Sequence, residues 1–172
     1  MIEKSTTQSI LTYFFDYPST NTYLRELCRN TKLSMPTILS STNLLSKEGL
    51  VIKEKGKVVT SIKANVENIN FTRLKRIYNI ERLYSSGLPD FLSKELNIPK
   101  AIICFGSYSR GEDTEKSDID IAIIGVKEKK VSLDKFEKIL KRSISLHFID
   151  LKKTSEEFKS NLYNGIVLDG AL

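Results

Sequence analysis

One stretch decides how this chain folds: residues 101–124 read AIICFGSYSRGEDTEKSDIDIAII. It begins with five apolar residues, Ala101–Phe105, and ends with Ile119–Ile124, which is apolar except for one aspartate. Such runs between turn signals are typical of strands buried on both faces of a sheet. The segment therefore predicts two core strands joined by a polar loop that opens with Gly106-Ser107.

The start of this loop carries groups suited to binding phosphate. Gly106 has no Cβ, so its backbone can approach a phosphate closely. Ser107 adds a hydroxyl and a backbone N–H, and a helix that began here would present its unpaired N–H groups to an anion. We predict that Gly106 and Ser107 bind the phosphates of a nucleoside triphosphate.

Two aspartates, Asp118 and Asp120, follow Ser107 after a gap of ten residues. Residues two apart on a strand project from the same face. Two such carboxylates can hold Mg²⁺ or Mn²⁺, which take oxygen ligands and bridge to substrate phosphates. Asp-x-Asp or Gly-Ser alone is common and uninformative. Their combination between two buried strands favours metal-assisted attack on a phosphorus atom.

This combination resembles the signature of the polymerase-β superfamily of nucleotidyltransferases, most closely its small minimal members. The resemblance covers roughly residues 88–172. It implies an α+β domain with a mixed sheet flanked by helices, and transfer of a nucleoside monophosphate from a triphosphate to a hydroxyl. It also implies that Asp118 and Asp120 are the catalytic, metal-binding pair.

Further residues match the family's triphosphate site. Gly106 and Ser107 correspond to its triphosphate-binding turn. Arg110 and Gly111 correspond to an Arg-Gly pair of the small members, which adds Arg110 to the predicted nucleotide-binding residues.

The chain departs from this family at the third carboxylate, which serves as a metal ligand and as base for the attacking hydroxyl. The expected position, on the strand after the helix, is occupied by Ser145, and His147 shares its face. Asp150 is nearby but has the opposite parity in a regular strand. Three alternatives follow. A strand irregularity brings Asp150 in, His147 or Ser145 takes a weaker role, or the domain binds nucleotide with little or no transfer.

The first 66 residues predict three helices and a β-hairpin. In order, these are a helix over Ser5–Phe15, a helix over Thr22–Asn30, a helix from the N-cap Ser34 to Glu48, and strands over Leu50–Glu54 and Lys57–Ile62. This order resembles winged helix-turn-helix transcriptional regulators over about residues 5–64. It implies that the helix after Ser34 enters the major groove of DNA.

Charge favours a polyanionic partner for this part of the chain. Residues 1–66 carry nine Lys and Arg against five Asp and Glu, within a total net charge of +6. The predicted contacts to double-stranded DNA are Thr37, Ser40 and Ser41 on the helix, and Arg29, Lys32, Lys53, Lys55 and Lys57 at the turn and the wing. The alternative is a winged helix used only for protein contacts or dimerisation. We also expect a homodimer, because a short recognition surface usually needs two copies for useful affinity.

The remaining segments complete a three-part division: 1–66 as the winged helix-turn-helix domain, 67–97 as a helical connector, and 98–172 as the nucleotidyltransferase domain. The predicted elements after residue 67 are helices over Asn70–Tyr84, Pro89–Leu96 and Asp134–Lys141, a strand over Ile144–Ile149, and a last helix that opens at Thr154–Glu157 and ends at Gly165.

Composition is that of a globular protein, with 40% hydrophobic and 28% charged residues among 172. No apolar run approaches the roughly 20 residues that a membrane span needs, and the N-terminus lacks the order of a signal peptide. We therefore expect no membrane partner and a cytoplasmic location. Cys28 and Cys104 are expected to be buried thiols, not a disulfide or a zinc site.

Two functions follow from these features. The first is a Mg²⁺- or Mn²⁺-dependent nucleotidyltransferase coupled to DNA binding, with a partner protein as a plausible acceptor and an antitoxin-like role. The second is a DNA-binding transcriptional regulator whose nucleotidyltransferase-like domain only senses a nucleotide.

Overall fold

The computed structural model describes residues 5–56 and 59–172. The chain divides into two compact units, Met1–Lys75 and Arg76–Leu172. The division falls inside one helix, α4 (Ile69–Ser86). The domain boundaries proposed above remain predictions.

The described part of the first unit combines helices with a small antiparallel sheet. Before α4 its elements are α1 (Thr6–Asp16), β1 (Thr22–Tyr23), α2 (Leu24–Thr31), α3 (Met35–Lys47), β2 (Val51–Lys55) and β3 (Thr60–Ala64). The strands lie in the order β1-β3-β2. Helices and sheet share one core, whose members include Ile10, Phe14, Leu27, Ile38, Leu45 and Ile62.

The predicted N-cap of α3 is confirmed. The Ser34 side chain accepts a hydrogen bond from the backbone N–H of Thr37 at 3.4 Å, and Pro36 lies in the first turn. These are the expected features of a helix start. After the helix ends, Gly49 adopts a φ of +71°, the left-handed conformation that glycine tolerates.

One predicted boundary in this unit differs, and a second lies outside the described residues. Thr22 and Tyr23 do not begin a helix; they form β1 and pair with Ile62 and Ser61 of β3. Thr is a β-branched residue that favours the extended backbone, and here pairing to a distant strand decides its conformation. The second hairpin strand was predicted from Lys57, which lies outside the described residues.

The second unit has a four-stranded mixed sheet. After α4 its elements are α5 (Leu88–Glu95), β4 (Ala101–Phe105), α6 (Gly106–Arg110), β5 (Ile119–Ile124), α7 (Asp134–Leu140), β6 (Ile144–Ile149), α8 (Glu156–Tyr163) and β7 (Ile166–Gly170). The strand order is β6-β5-β4-β7, with β5 and β6 parallel and the other pairs antiparallel. The predicted α+β class with a mixed sheet is confirmed.

Both faces of this sheet are covered, which explains the uninterrupted apolar runs of its central strands. Ile102 packs in one apolar cluster with Leu92 of α5. Its neighbour Ile103 faces the other way and packs in a second cluster with Leu162 of α8. The sheet is therefore a rigid platform for the loops at its ends.

Burial along α4 differs from the prediction. The apolar residues of the predicted helix are Phe71, Leu74, Ile77, Tyr78 and Leu83, but Leu74 and Ile77 are exposed. The buried residues lie four apart along the helix and include Lys75 and Asn79 as well as Phe71 and Leu83. Two of them are polar, and a search for apolar spacing overlooks such positions.

The remaining expectations concern the cysteines and the membrane. Cys104 is buried, as predicted, whereas Cys28 is partly exposed, with its sulfur 4.0 Å from that of Met35. Within residues 5–56 and 59–172, no helix combines the length and apolar character that a membrane crossing requires.

Candidate functional site

The candidate site begins where β4 gives way to α6. Phe105, the last residue of β4, pairs with Asp120 of β5. The next residue, Gly106, starts α6 with a φ of +72°. A Cβ atom placed on Gly106 would lie 2.6 Å from Oδ2 of Asp120. Only glycine fits here, because any side chain would displace that carboxylate.

The parallel pairing of β5 with β6 brings two further polar side chains to the aspartates. Asp120 is in register with Ser145, and Ala122 with His147. The Ser145 hydroxyl donates to Oδ2 of Asp118 at 3.4 Å, and Nε2 of His147 lies 3.0 Å from Oδ1 of Asp120. Since an ionised carboxylate only accepts, Nε2 carries the proton in this bond.

Aromatic packing supports the His147 ring. It packs edge-on against Phe105, with ring centroids 5.2 Å apart, and Phe105 in turn contacts Phe158 of α8 at 5.5 Å. These contacts restrict the rotation of the imidazole, which therefore limits the movement of Asp120.

The structure does not bring Asp150 to the site. The β5–β6 register is regular from Ile119 paired with Ile144 to Ile124 paired with Ile149, without a bulge. Asp150 follows the far end of β6, where its carboxylate accepts from the backbone N–H of Lys152 at 3.0 Å. The alternative in which a strand irregularity supplies the third carboxylate therefore does not hold.

The two aspartates fit a hard divalent cation. Asp118 is exposed and the Asp120 side chain is 32% exposed, so an ion in solvent can reach both. Mg²⁺ usually binds one or two carboxylates together with waters and substrate phosphates. Over the described ranges, no group of three or more His, Cys, Asp and Glu side chains is arranged to hold a metal ion. A cation here would thus depend on the phosphates for further ligands.

The other predicted nucleotide-binding residues lie on α6. Ser107 is half-buried, and its carbonyl accepts from the N–H of Glu112 at 3.0 Å. Arg110 forms an exposed ion pair with Glu112, with Nε 2.6 Å from the carboxylate. Exposed pairs contribute about 0–1 kcal/mol, so a phosphate can displace Glu112 at little cost.

Two ionisable groups beneath the site stay neutral. Burial raises the pKa of Cys104 to about 12, with smaller contributions from the carboxylates of Asp120 and Asp113. Burial and then the Asp113 carboxylate also raise the pKa of Tyr108 well above its usual value. Neither group supplies a nucleophile near neutral pH, because each would have to ionise in an apolar, negatively charged environment.

A surface groove of about 470 Å³ borders Asp118. Its walls come from the loop before β5 and from α7 with the residues that follow it. The charged residues along it balance in sign: Lys116, Lys138, Lys141 and Arg142 against Glu115, Asp118, Asp134 and Glu137.

One of the predicted DNA contacts on α3 is corrected. Ser40 is exposed and Thr37 is half-buried, but Ser41 is only 5% exposed. The Ser41 hydroxyl accepts a hydrogen bond from that of Thr7 at 3.1 Å. Ser41 lies three residues after the buried Ile38, on the inward face of the helix, and is not accessible to DNA.

The predicted basic contacts lie mostly at the surface. Arg29, Lys32 and Lys55 are exposed. Lys53 is half-buried and donates to the side chain of Asn43 at 2.6 Å. Burial, followed by the charge of Lys55, lowers its pKa. Lys57 lies outside the described residues. Asn43 is polar and exposed three residues beyond Ser40 on α3.

Comparisons with known proteins give one family-model match, which lies in the second unit, and one similar protein. Residues 86–169 match the family model described as a nucleotidyltransferase domain. A segment of 26 residues is 69% identical to a Methanocaldococcus jannaschii protein named "Putative protein adenylyltransferase". That segment spans 15% of this chain and 26% of the relative. No solved structure matches the chain. The two matches support nucleotidyl transfer in general terms.

Proposed function

We propose that the second unit transfers a nucleoside monophosphate from a nucleoside triphosphate to an acceptor hydroxyl, with release of pyrophosphate and with Mg²⁺ or Mn²⁺ held by Asp118 and Asp120. The observation that carries the proposal is the close packing of Gly106 against the Asp120 carboxylate. It joins a phosphate-binding turn to a cation-binding pair, within the segment that matches nucleotidyltransferase domains.

Each residue has a distinct role in this scheme. The Gly106 backbone and the Ser107 hydroxyl bind the phosphates, and Arg110 leaves Glu112 to neutralise phosphate charge. Asp118 and Asp120 hold the cation, and His147 orients Asp120 through its hydrogen bond. When bound, the cation supplies positive charge to the attacking and leaving oxygens of the displacement.

The acceptor in this proposal is a hydroxyl group of a protein. The name of the archaeal relative supports both a protein acceptor and adenylate as the transferred group. The groove beside Asp118 offers space for an acceptor segment near the cation-binding pair. An antitoxin-like regulator that modifies its partner would fit this arrangement.

The first unit is proposed to be a winged helix that binds double-stranded DNA as a homodimer. Its three helices, followed by an antiparallel pair of strands, support this assignment. So do the exposed Ser40 on α3 and the exposed Arg29, Lys32 and Lys55. DNA binding would then allow the protein to regulate its own expression.

A second candidate function is nucleotide sensing without transfer. Ser145 occupies the position of the third carboxylate, and Asp150 lies at the far end of β6. General-base help is worth roughly a hundred- to ten-thousand-fold in rate, so its loss favours binding over turnover. In this alternative the second unit controls a DNA-binding regulator.

Calorimetry and label transfer together test these proposals. The wild-type chain should bind ATP more tightly with Mn²⁺ than without it. Asp118→Asn with Asp120→Asn should abolish that gain, whereas Asp90→Asn on α5, the control, should not. An unchanged gain in the double variant would disprove the assignment of the cation site.

Transfer is then measured with α-labelled nucleotides and a lysate of the source cells. Enzyme activity predicts label on a protein band that the double variant does not produce. Metal-dependent binding without any label incorporation would support the sensing function instead.

A further inference from the structure

Three polar side chains form a buried cluster beneath the candidate site. Asn79, Asp113 and Arg142 are 3%, 2% and 7% exposed. They come from α4, from the loop between α6 and β5, and from the turn before β6. The guanidinium of Arg142 lies 3.5 Å from the Asp113 carboxylate, and the amide of Asn79 donates to that carboxylate at 2.7 Å.

Stability alone is a poor reason for such a cluster. Removing two charges from water costs several kcal/mol per ion, and apolar residues of similar volume often replace a buried pair without loss. What a buried pair can add is a unique arrangement of the segments it joins.

On one side the cluster holds α6, which carries the phosphate-binding turn. The Asn79 amide donates to the carbonyl of Tyr108 at 2.9 Å as well as to Asp113. One side chain therefore fixes both α6 and the start of the loop that leads to Asp118.

On the other side the cluster closes the loop that ends at Asp118. Within that loop, the backbone N–H of Thr114 donates to the Ser117 hydroxyl at 2.9 Å. At its end, the N–H of Ile119 donates to the carbonyl of Ser143 at 2.8 Å. Ser143 directly follows Arg142, so adjacent residues hold the two ends of the loop.

We propose that Asn79, Asp113 and Arg142 are positioning residues that set the separation between the Gly106-Ser107 turn and Asp118. The inference rests on the proposed function, because this separation matters only if phosphates and a cation are bound together. Loss of the cluster should weaken metal-dependent nucleotide binding more than it weakens the fold.

Two variants replace polar members of the cluster with apolar residues: Asp113→Leu combined with Arg142→Met, and Asn79→Leu. Leu168→Ala, in the core at β7, is the control for general destabilisation. The readouts are thermal unfolding, the gain in ATP affinity on adding Mn²⁺, and hydrogen exchange of residues 112–118.

In both cluster variants, the increase in ATP affinity on adding Mn²⁺ should be smaller than in wild type by about tenfold or more. Residues that orient metal ligands typically have an effect of this size. Leu168→Ala, with an unfolding temperature comparable to that of the cluster variants, should keep the wild-type increase in ATP affinity. A gain within twofold of wild type in the folded cluster variants would overturn the inference.

The remaining outcomes separate this inference from the proposed function. If Mn²⁺ does not increase the ATP affinity of the wild-type chain, the proposed function fails. Hydrogen exchange then decides whether the cluster positions the loop. Faster exchange of residues 112–118 in the cluster variants only would still support positioning of the loop. Unchanged hydrogen exchange of residues 112–118 would overturn the inference in favour of a purely structural role. So would a cluster variant that does not fold while Leu168→Ala does.

Discussion

The carboxylate of Asp120 occupies the space that a side chain on residue 106 would need. The clash is at 2.6 Å from Oδ2, and Gly106 also has a φ of +72°. A substitution at Gly106 therefore has two separable effects: backbone strain, and displacement of a predicted cation ligand.

Gly106→Ala should lower both stability and metal-dependent nucleotide affinity. Strain in the left-handed region costs about 1–2 kcal/mol. Gly87 is a matched control, because its φ is +75° but nothing lies within 4 Å of a Cβ built there. Thermal unfolding should show similar losses for Gly87→Ala and Gly106→Ala, whereas calorimetry with Mn²⁺ and ATP should show weaker binding only for Gly106→Ala. Equal affinities of the two variants for Mn²⁺ and ATP would contradict the assignment of Gly106 to the nucleotide site.

Ser145→Asp should increase transfer. Ser145 is in register with Asp120, and its hydroxyl is 3.4 Å from Asp118, so an aspartate here adds a third carboxylate to the pair. We expect tighter Mn²⁺ binding and a rate of label transfer that is about a hundredfold or more higher. Without metal, repulsion among the carboxylates should lower the unfolding temperature, and Mn²⁺ should restore it.

Asp150→Asn provides the comparison for that experiment. Its carboxylate accepts a hydrogen bond from the backbone N–H of Lys152, in the turn after β6, and does not reach the site. We expect transfer and metal binding within twofold of wild type. Loss of transfer in this variant would mean that the end of β6 rearranges when substrates bind.

His147→Phe should weaken cation binding without loss of the fold. The new ring keeps the contact with Phe105 but cannot donate to Asp120. Losing a hydrogen bond that orients a metal ligand typically costs about tenfold or more in affinity. Calorimetry with Mn²⁺ and ATP measures this directly, and unchanged or tighter binding would show that His147 does not orient Asp120.

DNA binding by the first unit should depend steeply on salt. Changing Lys53, Lys55 and Lys57 together to Ala should make the log–log slope shallower by up to about 2.7, since each neutralised phosphate contributes about 0.9. Ser41→Ala is the control, because that hydroxyl is buried against Thr7. Fluorescence anisotropy over a salt series gives both slopes. Identical slopes for the lysine variant and wild type would exclude the wing as a phosphate contact.

Cys104 should resist thiol reagents in the native chain. Its pKa of about 12 leaves a thiolate fraction on the order of one in ten thousand at pH 8. Titration with a chromogenic disulfide should detect one fast thiol, the partly exposed Cys28, and a second only after unfolding. Fast reaction of Cys104 in a Cys28→Ser variant would mean that the core beneath Asp120 opens readily.

Local sequence signals predicted most of the architecture. The N-cap at Ser34 and the apolar runs of β4 and β5 have causes within a few residues of themselves, and the structure confirms them. The predictions that failed depend on distant partners. Thr22 is extended because β3 lies beside it, and sequence reasoning overlooked β7, which is held by pairing to β4.

The candidate site divides in the same way. The sequence motif predicted that Gly106 and the two aspartates belong to one site, because each of them adjoins one of the two buried strands. The bond between His147 and Asp120 was not, because it requires the register of β5 against β6. Ser41 was misplaced because its hydroxyl suggested a surface role, whereas its spacing from Ile38 indicated the core.

The regular register of β5 and β6 has an evolutionary consequence. Because the backbone already carries residue 145 to the side of the aspartates, one substitution there adds or removes a carboxylate without moving any strand. Under the proposed function, a single substitution at this position would therefore separate turnover from ligand sensing. Sequences that share this register should therefore be compared by whether they have a carboxylate at residue 145.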